Sequence, residues 1–168
     1  VSRTADAPRL QGAGVPREEV LNGRPPHGTQ TLANWCEEIS ANGTLAAGIV
    51  ATNYAIEGVT GEWSQPIYES AIYGESFPEK TRVRSLRWLQ LHAAYDDVRP
   101  WEALEIVCTL VGSSPTAAEV RHLGECIRRG AAEASAWLRD LSPEAATAVT
   151  PFLVAAQRVP ETLSALPY

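Results

Sequence analysis

The feature that most constrains this chain is a run of apolar residues at helical spacing, broken repeatedly by proline and glycine, with no alternating strand pattern. Breakers cluster at Ala7-Pro8, Gln11 to Pro16, Gly23 to Gly28, Asn42-Gly43, Gly74 to Pro78, Pro100, Gly112 to Pro115 and Ser142-Pro143. Helices are expected between them. A short one over 16–22 starts at Pro16, where a proline is preorganised for a first turn. A second, capped by Thr29 or Thr31, runs through Ser40 with Leu32, Trp35, Cys36 and Ile39 on one face. A third opens at Thr44 and runs toward Trp63, with Pro66 disturbing its end and a short helix over 67–74 following.

Pro78 starts another long helix that reaches Asp97. Its buried side is read as Val83, Leu86, Leu89, Ala93 and Tyr95, and its wet side as Arg82, Arg84 and Arg87. Trp101–Val111 is expected next. Gly112 to Pro115 serves as turn and N-cap for a helix from Pro115 to about Arg139, and a last helix follows Ser142. Connections this short between helices give an all-α bundle. The chain divides into a flexible 1–15, a helical domain over 16–140, and a C-terminal helix and tail over 141–168.

Composition narrows the function classes. A chain of 168 residues is long enough for one real core. Its 14 basic and 20 acidic residues leave a net charge of −6, the wrong sign for a broad nucleic-acid surface. The single lysine, Lys80, lies in a polar segment ill-suited to covalent amine chemistry. Cys36, Cys108 and Cys126 form no CxxC pair, which argues against a zinc knuckle or a disulfide framework and makes a reducing cytoplasmic location the expectation. No apolar run is long enough to span a membrane. Phosphate-loop, dinucleotide and serine-hydrolase signatures are absent. The chain starts at Val1 and contains no methionine, so an initiator residue has been removed or the sequence is part of a longer product.

The residues with chemical potential lie in two stretches. His92, Asp96 and Arg99 stand at i, i+4 and i+7, positions that share a helix face. Glu57 sits among Ala55, Ile56, Gly58 and Val59, which reads as internal rather than part of a solvated charge run. Helical bundles build metal and acid–base sites from a carboxylate on one helix facing His and Asp on another. A purely structural account competes: Asp96 bridges Arg99, His92 donates to a nearby carbonyl, and Glu57 pairs with Arg99 or Arg87. Gly48, Gly58 and Gly61 mark either close helix packing or room for a ligand. His27, His122 and Cys36 carry weaker signals, Cys36 reading as a small core residue.

Asn53-Tyr54-Ala55-Ile56-Glu57-Gly58, followed at a distance by His92-x-x-x-Asp96-x-x-Arg99-Pro100-x-Glu102-Ala103, resembles the second half of the heme-oxygenase-like fold. The nearest groups are TenA (thiaminase II)-like proteins, pyrroloquinoline-quinone synthase and iron-dependent oxidases. Gly14 to Val20 resembles the family's link between early and middle helices, and the likeness spans about residues 10–140. In the metal-binding branch the resemblance implies a Glu and a His-x-x-x-Asp-x-x-His as iron ligands. Glu57, His92 and Asp96 match; Arg99 stands where the last His would be, and a guanidinium has no lone pair for a metal.

The resemblance implies a pocket between the helix over 44–64 and the helix over 79–99. Tyr54, Trp88 and Tyr95 would wall it, and Glu57, His92 and Arg99 would carry the chemistry. The implied activity is oxidation of a small organic substrate, with iron or with no cofactor. A thiaminase-like C–N hydrolase, with Cys36 as its only early cysteine, and a non-catalytic helical binding or scaffold protein are the alternatives. The branch takes further ligands from helices preceding the matched region; apolar faces left without them would favour a homodimer.

Overall fold

The computed structural model describes residues 16–73, 79–95, 99–141 and 154. Among these every regular element is helical. In chain order they are α1 (Arg17–Asn22), α2 (His27–Asn42), α3 (Leu45–Ile49), a π-helical segment (Val50–Ile56), α4 (Glu57–Tyr73), α5 (Glu79–Tyr95), α6 (Arg99–Val111) and α7 (Ala117–Leu141). The segment expected at 1–15 and the last helix, apart from Val154, lie outside the described residues, as does Asp97.

The π-helical segment is the hub, packed by α2, α3, α4, α6 and α7. It continues α3 without a break, and its far end passes straight into α4. Two threonines, Thr52 within it and Thr60 just after it, bond back to backbone carbonyls. Thr52 Oγ1 donates to the Gly48 carbonyl at 2.8 Å, and Thr60 Oγ1 donates to the Ile56 carbonyl at 2.9 Å. Such back-bonding competes with the i−4 backbone bond and distorts a helix. The Glu57 N–H accordingly reaches back to the Thr52 carbonyl, the wider spacing of a π turn. Val50, Ala51, Tyr54 and Ala55 on this segment are all buried.

Contacts between named pairs fix the helix directions. Trp63 meets Trp88, and Arg82 donates to the Ile72 carbonyl at 3.5 Å, so α4 and α5 run antiparallel. Trp63 also meets Trp137, while Gly130 lies on Ala51 and Ala55, so α7 runs parallel to the π segment and α4. Gly28 contacts Asp140 and Arg129 pairs with Glu38, so α2 is antiparallel to α7. The core gathers Trp35, Ile39, Val50, Tyr54, Val59, Trp63, Val107, Ile127 and Leu138. Each fully buried large side chain contributes about 1.5–3 kcal/mol of transfer free energy.

Two close approaches need a residue without a side chain. A Cβ on Gly130 would sit 2.5 Å from the Ala51 carbonyl oxygen, and one on Gly28 would sit 2.8 Å from the Trp137 Cα. Of the glycines noted in the sequence, Gly58 and Gly61 are buried, whereas Gly48 borders open space.

Several expectations need correction. α2 begins at His27, so neither Thr29 nor Thr31 caps it; Thr31 Oγ1 bonds the Gly28 carbonyl inside the first turn. The missing cap comes from another helix: the Gly28 N–H donates to Asp140 Oδ2 at 2.5 Å. Pro66 does not end α4, which continues to Tyr73. Pro66 and Glu62 are both exposed, so the ring faces outward and the carbonyl it frees can be hydrated. The buried side of α5 is the expected one at Leu86, Leu89 and Ala93, but Val83, expected to share it, is 68% exposed. The N-cap of α7 is made by Thr116 instead of the preceding turn: the Glu119 N–H bonds Thr116 Oγ1 at 3.2 Å, and Thr116 N–H bonds Glu119 Oε2 at 2.7 Å. The Thr44 cap stands, with the Ala47 N–H on Thr44 Oγ1 at 3.2 Å.

Candidate functional site

Glu57 is the first residue of α4 and precedes Trp63; His92 follows Trp88 in α5. Because α4 and α5 are antiparallel, Glu57 and His92 lie toward the same end of the pair. The π segment brings Tyr54 to that end, where its ring meets Trp101 of α6 edge-on at 6.2 Å. Arg99 opens α6 and Tyr95 closes α5, so the backbone delivers both to this region. Their side chains, and Asp96 entirely, lie outside the described residues. The shared face expected for His92, Asp96 and Arg99 therefore bridges two elements across undescribed residues 96–98.

His92 is the best defined of these groups. Its ring stacks on Trp88 with centroids 3.8 Å apart, and Nδ1 lies 2.9 Å from the Trp88 carbonyl oxygen. A carbonyl only accepts, so Nδ1 carries the proton. In the neutral ring this leaves the Nε2 lone pair free to take a proton or bind a ligand. The donation to a nearby carbonyl, anticipated as the structural account of this residue, is thus also what defines its chemistry. Trp88 in turn leans on Trp63 at 5.9 Å, and Trp63 on Trp137 at 5.6 Å, so the imidazole ends a row of three indoles reaching α7.

Glu57 is half-buried, and no ion pair joins it to another described side chain, Arg87 included. Arg87 points to solvent. Tyr54 is a core residue, and burial pushes its hydroxyl above the ordinary tyrosine value. Trp101, 62% exposed, was missed in the sequence, although it follows Pro100 inside the matched motif. Trp63 and Trp137 were missed too; no pattern in the sequence states that residues so far apart meet.

Cys36 and Cys126 lie on α2 and α7, not on the α4–α5 pair. Cys36 is half-buried on α2, and burial pushes its thiol up. Cys126 is buried on α7, with its thiol also pushed up, first by burial and then by the Glu125 carboxylate.

Iron is the group the resemblance implies. Glu57 and His92 have suitable donor atoms, and the carbonyl on Nδ1 is the kind of outer partner that orients a metal-bound imidazole. Among the described residues, however, no three His, Cys, Asp or Glu side chains converge on one point. Arg99 adds no donor. The described residues thus fall short of a full iron site.

The architecture is that of an all-α, heme-oxygenase-like protein. Comparison with solved structures finds a TenA homologue from Pseudomonas syringae pv. tomato str. DC3000 that is 39% identical, with a TM-score of 0.70 over 79% of this chain and 54% of that one. The chain is similar to that TenA homologue and spans about half of its length. No protein-family model and no curated protein matches it. No helix among the described residues is long and apolar enough to cross a membrane.

Proposed function

We propose that this TenA-like chain is an oxidoreductase that acts on a small organic substrate at the end of the α4–α5 pair. The observation that carries the reading is the Nδ1–H of His92 held on the Trp88 carbonyl, which leaves Nε2 as a fixed proton acceptor. His92 takes a proton from the bound substrate as two electrons pass from the substrate to dioxygen, the co-substrate, which leaves as hydrogen peroxide. Glu57, at the same end and without a described ion-pair partner, is the second proton carrier. Arg99 supplies a permanent positive charge for a substrate carboxylate or a reduced-oxygen anion. Trp88 and Tyr95 wall the substrate, and Tyr54 braces the wall from the core. Asp96, with Glu57 and His92, completes the donor set if iron is used. The exposed apolar side chains Leu45, Ile106 and Leu110 support a homodimer.

The TenA likeness supports thiaminase-like C–N hydrolysis as a second reading. The burial of Cys36 weighs against it, because a raised thiol supplies little thiolate nucleophile. The non-catalytic scaffold reading draws on Arg99 replacing a ligand histidine.

Dioxygen consumption with small aromatic and carboxylate substrates, with and without Fe(II), tests the proposal. Turnover that is lost in both His92→Gln and Glu57→Gln is the expected result. Turnover retained in His92→Gln refutes the assigned role of His92. Amine release that depends on Cys36, with no oxygen uptake, would install the hydrolase reading instead.

A further inference from the structure

Two helices present outward faces of opposite charge. Among the described residues α5 packs mainly on α4, which leaves its other side to solvent. The exposed row there is Lys80, Val83, Arg84, Arg87, Gln90 and Leu91, spaced three or four apart so that it forms one face. In a chain of net charge −6, α5 carries Lys80, Arg82, Arg84 and Arg87 against Glu79 alone. The exposed row of α6 is Trp101, Glu102, Glu105, Ile106, Thr109 and Leu110. The other charged residue of α6 is Arg99, at its first position. Lys80, Arg84, Arg87, Glu102 and Glu105 form no ion pair with a described side chain. Each row thus joins unpaired charge of one sign to exposed apolar side chains.

We infer that in the homodimer of the proposed function the α6 face of one copy docks on the α5 face of the other, acidic row against basic row. The inference rests on that homodimer reading and names the faces that meet. Charge decides the pairing. Two α5 faces set together would oppose Arg84 and Arg87 to their own kind, and two α6 faces would oppose Glu102 and Glu105 to theirs. The mixed pairing alone is attractive. Under two-fold symmetry it is made twice, since α5 of each copy meets α6 of the other. Exposed ion pairs by themselves contribute little. The apolar side chains in each row therefore supply the buried area, and the charges select the partner and its register. Trp101, Arg84 and Arg87 are of the residue types that anchor interfaces, and a guanidinium can also seat on the indole face.

Sedimentation equilibrium of the full chain tests this with two double variants at exposed positions. Arg84→Glu with Arg87→Glu makes both faces acidic, and Glu102→Arg with Glu105→Arg makes both basic. The parent is expected to dimerise, and more weakly as salt rises from about 0.05 to about 0.5 M. Each double variant alone should dimerise at least about tenfold more weakly. An equimolar mixture of the two should regain the dimer, as should the chain carrying all four substitutions. Regain in the mixture is a result that misfolded variants could not give. A parent dimer left unchanged by either double variant, or weakened dimers that the mixture does not restore, overturns this pairing while the homodimer reading stands. A parent that stays monomeric at every concentration overturns both.

Discussion

Replacing Gly130 by alanine should destabilise the protein even though alanine is the better helix former. The added Cβ would lie 2.5 Å from the Ala51 carbonyl oxygen and 3.2 Å from the Ala55 Cβ. Both belong to the π-helical hub, which is packed by five other helices and cannot retreat. Relief requires α7 to move outward by about 0.7 Å, enough to loosen the contacts of Ile127, Ala131 and Ala134 along the same face. Overpacking of this kind costs about 1–3 kcal/mol. The gain in helix propensity offsets about 1 kcal/mol. The net expectation is a loss of up to about 2 kcal/mol, or a Tm lower by up to about 8 °C for a chain of this size. Gly48→Ala is the matched control, because a Cβ there meets nothing within 4 Å. It should gain about 0.5–1 kcal/mol. Thermal and urea denaturation followed by far-ultraviolet circular dichroism measure both. A Gly130→Ala protein stabilised as much as Gly48→Ala would refute the close approach of α7 to the hub.

Asp140→Ala should cost about 0.5–2 kcal/mol by leaving the Gly28 N–H of α2 without its acceptor, read from the urea midpoint. Ile127→Ala, at a fully buried position, should cost about 2–5 kcal/mol, whereas Val83→Ala should change stability by less than about 0.5 kcal/mol; reversal of that order would mean the buried side of α5 is misplaced. The Glu119 carboxyl is held below its ordinary 4.5, first by the Thr116 hydroxyl and then by the Thr116 N–H. Its folded value is depressed, so its contribution is present above pH 4.5 and is lost as the pH falls through that lower folded value. The stability difference between parent and Glu119→Gln should therefore shrink on acidification from neutral pH to below 4.5; a difference that stays constant would contradict the cap.

The chemical residues were legible to different depths. Glu57 and His92 stood out in the sequence as polar groups within apolar helical stretches, and the structure sets them toward one end of the α4–α5 pair. The proton position on His92 was not legible, because it depends on the imidazole turning back onto the Trp88 carbonyl. The aromatic row was not legible either: Trp63, Trp88 and Trp137 come from three helices and meet only once those helices are packed.

By itself the sequence determined what local chemistry governs. Apolar residues at helical spacing between proline and glycine breaks specify helices and leave no strand, and the Thr44 cap reads directly from residues within one turn. Tertiary structure decided what depends on distant neighbours. It carried α4 through Pro66, because that ring faces outward. It opened π turns in the hub, where the Thr52 hydroxyl takes the Gly48 carbonyl beside the buried Val50, Ala51, Tyr54 and Ala55. It capped α2 with Asp140, a residue of α7, and it turned Val83 out to solvent. Helix formation is settled by backbone and side-chain preferences over a few residues, whereas helix register and facing are settled by which side chains fit against residues far away in the chain.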